Sequence, residues 1–416
     1  MHLFGRSAVL FLLASFIPPL AGAQEQREFE ITRLTEHLYK LSTDVGYAVN
    51  IIASIGEDGI LLVDTGTEDT AAALKEALKT ISDEQPKIII NTHAHVEHLG
   101  GNALWGRDAV IIAHQRVREH MRSGRWIIME YPDEALPDVT FQEPVSVYFN
   151  GEEIRLIPLT GSHSDDDVIV HFTRSAIACT SGIINGGHFP SVDSLFGDVL
   201  QYPAAIEKII ALLPDDVTVI CPHGSDCTMD DVRAYHDMIV RTMDIVGKGL
   251  DAGKDLATLQ EEKVLAEWDS FAGGYVSADR WIQYIVDGLQ HAPRKIAPIE
   301  PLYLALKEGG MEAAIAKYRE LKKTRPDEYK FDAIAPIVIA RRLLKKDRAH
   351  DAARLLEMAV EECPDSPYLS LVHQDLGAAY RALGDTEQAV HQYRKVLELD
   401  PENTAAAQAL KELEAE

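Results

Sequence analysis

Cysteine is scarce in this 416-residue chain: Cys179, Cys221, Cys227 and Cys363 are all it has, with no paired spacing of the kind that builds a cysteine zinc site. A scaffold held together by disulfides is thereby excluded. Only Cys221 and Cys227 are near enough in sequence to form a local pair, and both a disulfide and two free thiols fit that spacing. Positive charge is in deficit, with 40 Lys and Arg against 66 Asp and Glu and a net charge of −26. Nucleic acid and anionic membrane surfaces are therefore poor partners. Long apolar runs are missing too. The one near the N-terminus, Ala8 to Ile17, is too short to span a bilayer well, and no later stretch could.

That early run has a different meaning. His2 and Arg6 precede it, Pro18-Pro19 breaks it, and Ala21-Gly22-Ala23 follows as a small-residue cleavage site. Residues 1–23 read as a secretory signal, which puts the mature start at Gln24 and the protein in the periplasm or outside the cell. No cysteine follows the cleavage site, so a lipid anchor is not indicated. The remaining length calls for two or three domains.

The most informative stretch runs from Asn91 to Asn102. His93, His95, Glu97 and His98 fall within six residues, after the β-branched run Lys87-Ile88-Ile89-Ile90 and before Gly100-Gly101. That order reads as a buried strand, a loop and a plausible helix start at Asn102. His93 and His95 are two apart and can point the same way from extended backbone, while Glu97 and His98 can face differently as the chain turns. One loop can thus supply ligands to two metal positions. Imidazole with carboxylate suits Zn²⁺, with Fe or Mn as alternatives.

Around this stretch, strands alternate with helices. Gly59 to Gly66 is an apolar strand ending in Asp64-Thr65-Gly66. Helical spacing covers Thr70 to Ile81, Gln115 to Ser123, Pro203 to Leu213 and Met229 to Val246. Strands are expected at Asp108–Ala113, Gly151–Leu159, Asp167–Phe172, Ala176–Cys179 and Val217–Cys221, and 124–145 reads as irregular. Polar clusters recur at strand ends, the pattern of a layered α/β domain with its site in the strand-end loops. His163 and His223 sit in two such loops, each beside glycine, and are placed to complete the site. Trp105, Trp126 and Phe189 could line its mouth or pack in the core. Of the other histidines, His114, His120, His171, His188, His236 and His291 lack matching partners, His188 being nearest to a site loop.

From about residue 295 the texture turns to Ala, Leu, Glu, Lys and Arg. Leu376-Gly377, Tyr380, Gly384, Ala389, Tyr393 and Pro401 resemble a tetratricopeptide (TPR) helix pair. Earlier copies align Ala340, Leu343, Ala352, Leu356, Ala359 and Pro364, and more faintly Gly309, Ala314, Tyr318, Leu321 and Pro326. A generic helical bundle is the alternative.

Taken together, Val63-Asp64-Thr65-Gly66, His93-x-His95-x-Glu97-His98, Gly161-Ser162-His163-Ser164-x-x-Asp167 and Pro222-His223-Gly224 resemble the ordered motifs of the metallo-β-lactamase superfamily over roughly residues 30–290. The resemblance implies an αβ/βα sandwich at 24–292, followed by an all-α TPR-like domain at 293–416. It implies a first metal on His93, His95 and His163, and a second on Glu97, His98 and His223. Asp64 and Ser181 would support the site from behind. The chain departs from the family pattern in three ways: Glu97 stands where Asp is usual, Cys179-Thr180-Ser181-Gly182 lacks the common further carboxylate or cysteine ligand, and Asp166 replaces a usual glycine.

The expected activity is zinc-dependent hydrolysis of an ester, amide, lactam or lactone in a small-molecule substrate. Glu97 would hold the water and shuttle its proton. One Zn²⁺ is expected and a second is open; Fe on the same scaffold is the alternative cofactor. The competing expectation is a catalytically altered binding protein that recruits a protein or peptide through its TPR region.

Overall fold

The structure, a computed structural model, describes residues 28–123, 131–193, 196–290, 297–401 and 403–415. The expected signal at 1–23, Trp126 and His291 lie outside the described residues. The chain divides into two compact units, one ending near Arg294 and one beginning near Lys295. No helix among the described residues is long and apolar enough to cross a membrane.

The first unit is built on two sheets. Seven strands, β1 (Glu30–Arg33), β2 (Leu38–Asp44), β3 (Ala48–Gly56), β4 (Gly59–Val63), β5 (Pro86–Asn91), β6 (Val110–His114) and β7 (Val139–Phe141), lie in sequence order. Pairing is antiparallel through β4 and parallel from β4 to β7. The second sheet runs β12-β11-β10-β9-β8, from β8 (Val145–Phe149), β9 (Glu152–Pro158), β10 (Val168–Phe172), β11 (Ile177–Cys179) and β12 (Thr218–Ile220).

Alternation along the strands produces the layers. In β4, Leu61 and Val63 turn toward Phe172, Leu156 and Ile220 of the other sheet, whereas Ile60 and Leu62 turn outward onto Leu74 and Leu78 of the helix Ala71–Lys79. On the far side, Ile169, Ala178 and Val219 pack under the helices Tyr202–Leu212, Met229–Asp251 and Ala278–Leu289. The order is helix, sheet, sheet, helix, an αβ/βα sandwich as expected. Thr228 and Asp231 start the long helix with a reciprocal capping box.

Several elements differ from expectation. The region read as irregular holds β7 and ends at β8, both short edge-side strands. The helix start expected at Asn102 is only a 3-10 turn, Asn102–Leu104, while a helical turn forms earlier at Val96–Leu99, inside the histidine stretch itself. Trp105 and Phe189 are both core residues. Cys221 and Cys227 are free thiols with their sulfurs 3.6 Å apart.

The second unit is all helix. Ile334–Lys345 pairs with Ala349–Glu362, and Leu369–Ala382 with Thr386–Leu399, followed by Thr404–Ala415. In the last pair the bare α-carbon of Gly377 faces the Tyr393 ring, where a methyl group would meet ring carbons at 2.9–3.1 Å. In the first helical segment, Ile299–Thr324, Gly310 has φ +75° and breaks the helix in two, so the faintest expected copy is itself a pair.

Candidate metal centre

Every residue expected in the site comes from a strand-end loop of the first unit. β5 delivers Thr92, His93 and His95, and the turn Val96–Leu99 carries Glu97 and His98. His163 lies in the loop between β9 and β10, Ser181 just after β11, and His223 just after β12. Two groups result. His93, His95 and His163 each offer a ligand atom within 4.8 Å of the others, and so do Glu97, His98 and His223. The His93 ring is shared ground, with centroids 4.9 Å from His163 and 4.3 Å from His98. All are buried except His223, which is partly exposed.

The hydrogen bonds behind these rings determine which nitrogen faces the site. Thr92 Oγ1 donates to Asp64 Oδ2 at 2.8 Å, and Ser181 Oγ donates to Asp167 Oδ1 at 2.6 Å. Both hydroxyls, 3.1 and 3.0 Å from His93 Nδ1, have spent their proton on a carboxylate and must accept from that nitrogen. His93 Nε2 is then a bare lone pair. The same reasoning applies to His163, whose Nδ1 donates to Ser191 O at 2.7 Å, and to His223, whose Nδ1 donates to Ala48 O at 2.7 Å. His98 Nδ1 faces Asp64 Oδ2 at 2.8 Å, and its Nε2 is buried with no partner. His95 is turned round: its Nε2 meets Asp193 Oδ2 at 3.2 Å, leaving Nδ1 3.8 Å from Glu97 Oε1.

Four imidazoles thus turn a lone pair inward, and His98 turns an unpartnered Nε2 the same way. The Nε2 atoms of His93 and His163 face each other at 3.3 Å. Two lone pairs at that distance repel unless something positive lies between them. Two nitrogens bound tetrahedrally to one zinc at ~2.0–2.1 Å would be separated by about 3.3–3.4 Å. Glu97 Oε2 is a second buried oxygen without a partner, while its Oε1 lies 3.8 Å from both His95 Nδ1 and His223 Nε2. The residues therefore fit a cation in chemistry and spacing.

Burial keeps His93 from relieving that repulsion by taking up a proton. Burial, reinforced by the neighbouring histidines, holds His93 and His95 well below the ordinary imidazole range; burial and His98 push His223 down to about 3. His98 moves up: burial opposes its charge, and Asp64, Glu97 and Asp167 overcome that. Neutral imidazole is the ligating form.

The backbone is shaped to the same end. Asp64 and Ser181 hold left-handed φ values of 69° and 52°, uncommon for side chains of their type. At Gly182 a Cβ would stand 2.1 Å from His163 Nε2, so only glycine leaves that nitrogen accessible. Cys179 is not part of either group; it is buried in the inter-sheet core, which pushes its thiol up and keeps it protonated.

Three neighbours were not expected from the sequence. Asp193, fully buried, backs His95, and its backbone N–H donates to His163 O at 2.9 Å. The Tyr47 ring meets His223 edge-on at 5.2 Å, and Tyr275 lies 6.0 Å from Tyr47. None sits in a histidine-rich motif that would single it out. The reading of His120 as partnerless is corrected: its Nε2 lies 2.7 Å from Asp165 Oδ1. His188 packs against Gly274 instead of joining either group.

The Metallo-beta-lactamase superfamily profile matches residues 44–264, just over half the chain, and the Tetratricopeptide repeat profile matches residues 370–403. A Bacillus subtilis protein described as a probable metallo-hydrolase, YybB, is 24% identical over 229 residues, 51% of this chain and 99% of its own length. Among solved structures, a metallo-beta-lactamase from Pontibacter korlensis aligns at 18% identity and TM-score 0.45, over 51% of this chain and 99% of that one. The DIM-1 metallo-beta-lactamase aligns at 15% and 0.43, over 52% and 98%.

Proposed function

The chain belongs to the metallo-beta-lactamase superfamily, and from that premise we propose that its first unit is a zinc-dependent hydrolase acting on an ester, amide, lactam or lactone. The observation that carries this reading is the pair of inward lone pairs on His93 and His163, 3.3 Å apart, with burial holding His93 neutral. His93, His95 and His163 would hold one ion; Glu97, His98 and His223 would hold another. Held there, a divalent ion would supply Lewis acidity, lowering the pKa of a bound water and drawing charge from a carbonyl.

The chain's own residues do the rest. Asp64 and Asp167 hold His98 and, through Thr92 and Ser181, His93 in the tautomers that face the site. Glu97 Oε2, with no protein partner, can take a proton and return it to the leaving group. Tyr47 and Tyr275 flank the partly exposed His223 side, which suits the approach of a small substrate. The leader-like residues 1–23 support action in the periplasm or outside the cell. The helical repeats support a protein or peptide partner for the second unit.

The test uses the full chain. Metal is measured by elemental analysis after dialysis, and chromogenic lactam, lactone, aryl ester and phosphoester substrates are screened. Stoichiometric zinc with turnover of a carbonyl substrate is expected. Bound iron without hydrolysis, or protein that holds no metal and turns over nothing, would overturn the reading.

A further inference from the structure

A third cluster lies beside the first two and shares no residue with them. The helix Gln115–Ser123 contributes His120 and Arg116, and the loop between β9 and β10 contributes Asp165 and Asp166. His120, Asp165 and Asp166 each offer one donor atom within 4.8 Å of the others. His120 Nε2 and Asp165 Oδ1 are 2.7 Å apart, and the Arg116 guanidinium, about half exposed, reaches Asp165 Oδ2 from outside.

Asp166 is the residue that needs explaining. It is 0% exposed, next to the equally buried Asp167. Asp167 is well supplied, accepting from Ser164 N at 2.7 Å and Ser181 Oγ at 2.6 Å. Asp166 accepts from Ser164 Oγ at 2.6 Å through Oδ1, and its Oδ2 is buried with no partner at all. A buried carboxylate beside another is costly unless it is neutralised. Burial and the neighbouring Asp167 push this carboxyl well up, yet a proton on either oxygen still leaves one buried oxygen without a partner. A cation held by Asp166 would supply one, and His120 and Asp165 bring an imidazole and a second carboxylate within 4.8 Å of an Asp166 oxygen.

We infer that His120, Asp165 and Asp166 form a third, structural cation site for a divalent ion of the zinc or manganese class. The ion ties the helix Gln115–Ser123 to the loop that carries His163. It depends on none of the imidazoles of the first two groups.

The full-length protein, dialysed against Zn²⁺ and separately against Mn²⁺, is compared with Asp166→Gly, Asp166→Asn and His120→Gln by elemental analysis. Each variant is expected to hold about one metal equivalent less than the parent. Asp166→Gly removes the side chain and Asp166→Asn keeps its shape, so the three together separate metal loss from misfolding, which circular dichroism monitors. In a His93→Ala, His98→Ala background, which removes a ligand from each of the first two groups, the cluster should still retain about one equivalent, and adding the ion should raise the unfolding temperature. Unchanged metal content in all three single variants, or no metal and no thermal rise in the double background, overturns the inference. Loss of metal from the double variant confined to the first two groups would bear on the hydrolase reading alone.

Discussion

The two units treat buried polarity in opposite ways. At its strand ends the α/β unit buries Asp64, His93, His95, Glu97, His98, His163, Asp166, Asp167, Ser181 and Asp193 within a short distance of one another. Among the described residues the helical unit buries only Asp332, Ser370, Asp375 and Gln392 of polar or charged type, inside a core of Ala, Leu, Ile and Tyr. The first unit tolerates repulsion because two sheets and three layers of apolar packing hold the loops in place. The second has almost nothing to tolerate, since small Ala and Gly positions let its helices close on one another. Repulsive lone pairs at a rigid sheet edge indicate a site, and a nearly dry helical stack indicates a scaffold.

The strongest way to break that contrast is His163→Ala. If the inward imidazoles are ligands, turnover should fall by about a thousandfold or more, with the metal of the first group lost. Folding stability of the metal-free protein should hardly suffer, because the change removes one of two facing lone pairs. Full turnover by a metal-free His163→Ala protein would end the metal-dependent mechanism. The opposite signature is expected in the helical unit. Leu356 is fully buried, and Leu356→Ala should cost about 3 kcal/mol in denaturant unfolding while metal content stays constant.

A third test uses a buried ion pair of the helical unit, Arg341 with Asp375. Burial pushes Asp375 up to about 6 even though Arg341 binds it. A carboxyl raised in the folded state contributes stability at low pH that disappears as pH climbs from the unfolded value near 4 through about 6. Between those limits the unfolding free energy should drop by about 2 kcal/mol, and Asp375→Asn should flatten the profile. A profile equally steep in the variant would place the titration elsewhere.

Much of this could be read from residue types and their spacing. β-branched runs ending in Asp, His or Gly located most strands of the sandwich, because a strand buried on both faces leaves a continuous apolar signal. Val139–Phe141 left none, being three residues at a sheet edge. The turn Val96–Leu99 was hidden because its polar side chains point into the site, so no apolar face marks it as helical. His93, His95, Glu97, His98, His163 and His223 stood out because glycine-bordered loops of ligating residues are rare. His120 did not, since a histidine on a short charged helix looks like any solvated face. Asp193 is the clearest omission: it is one of 66 acidic residues and lies 98 positions from the ring it meets.

Asp193 also provides the smallest and sharpest test of the contrast. Its carboxylate accepts from His95 Nε2 and from Phe196 N, the latter at 2.6 Å. With Nε2 carrying the proton, Nδ1 is the nitrogen free to ligate. In Asp193→Asn the amide can present N–H to the ring, favouring the other tautomer and capping Nδ1 with hydrogen. Zinc affinity should fall by about tenfold, or ~1.4 kcal/mol, the scale on which partners behind a ligating histidine act. The loss should be in metal affinity and in its pH dependence, with the unfolding midpoint of metal-free protein little changed, because Asn still accepts from Phe196 N. Asp193→Ala removes both acceptors and should lower both quantities. If the two variants lose stability in step and neither changes zinc affinity, Asp193 belongs with Asp375 as a packing residue, and the boundary between site and scaffold must be drawn closer to the histidines.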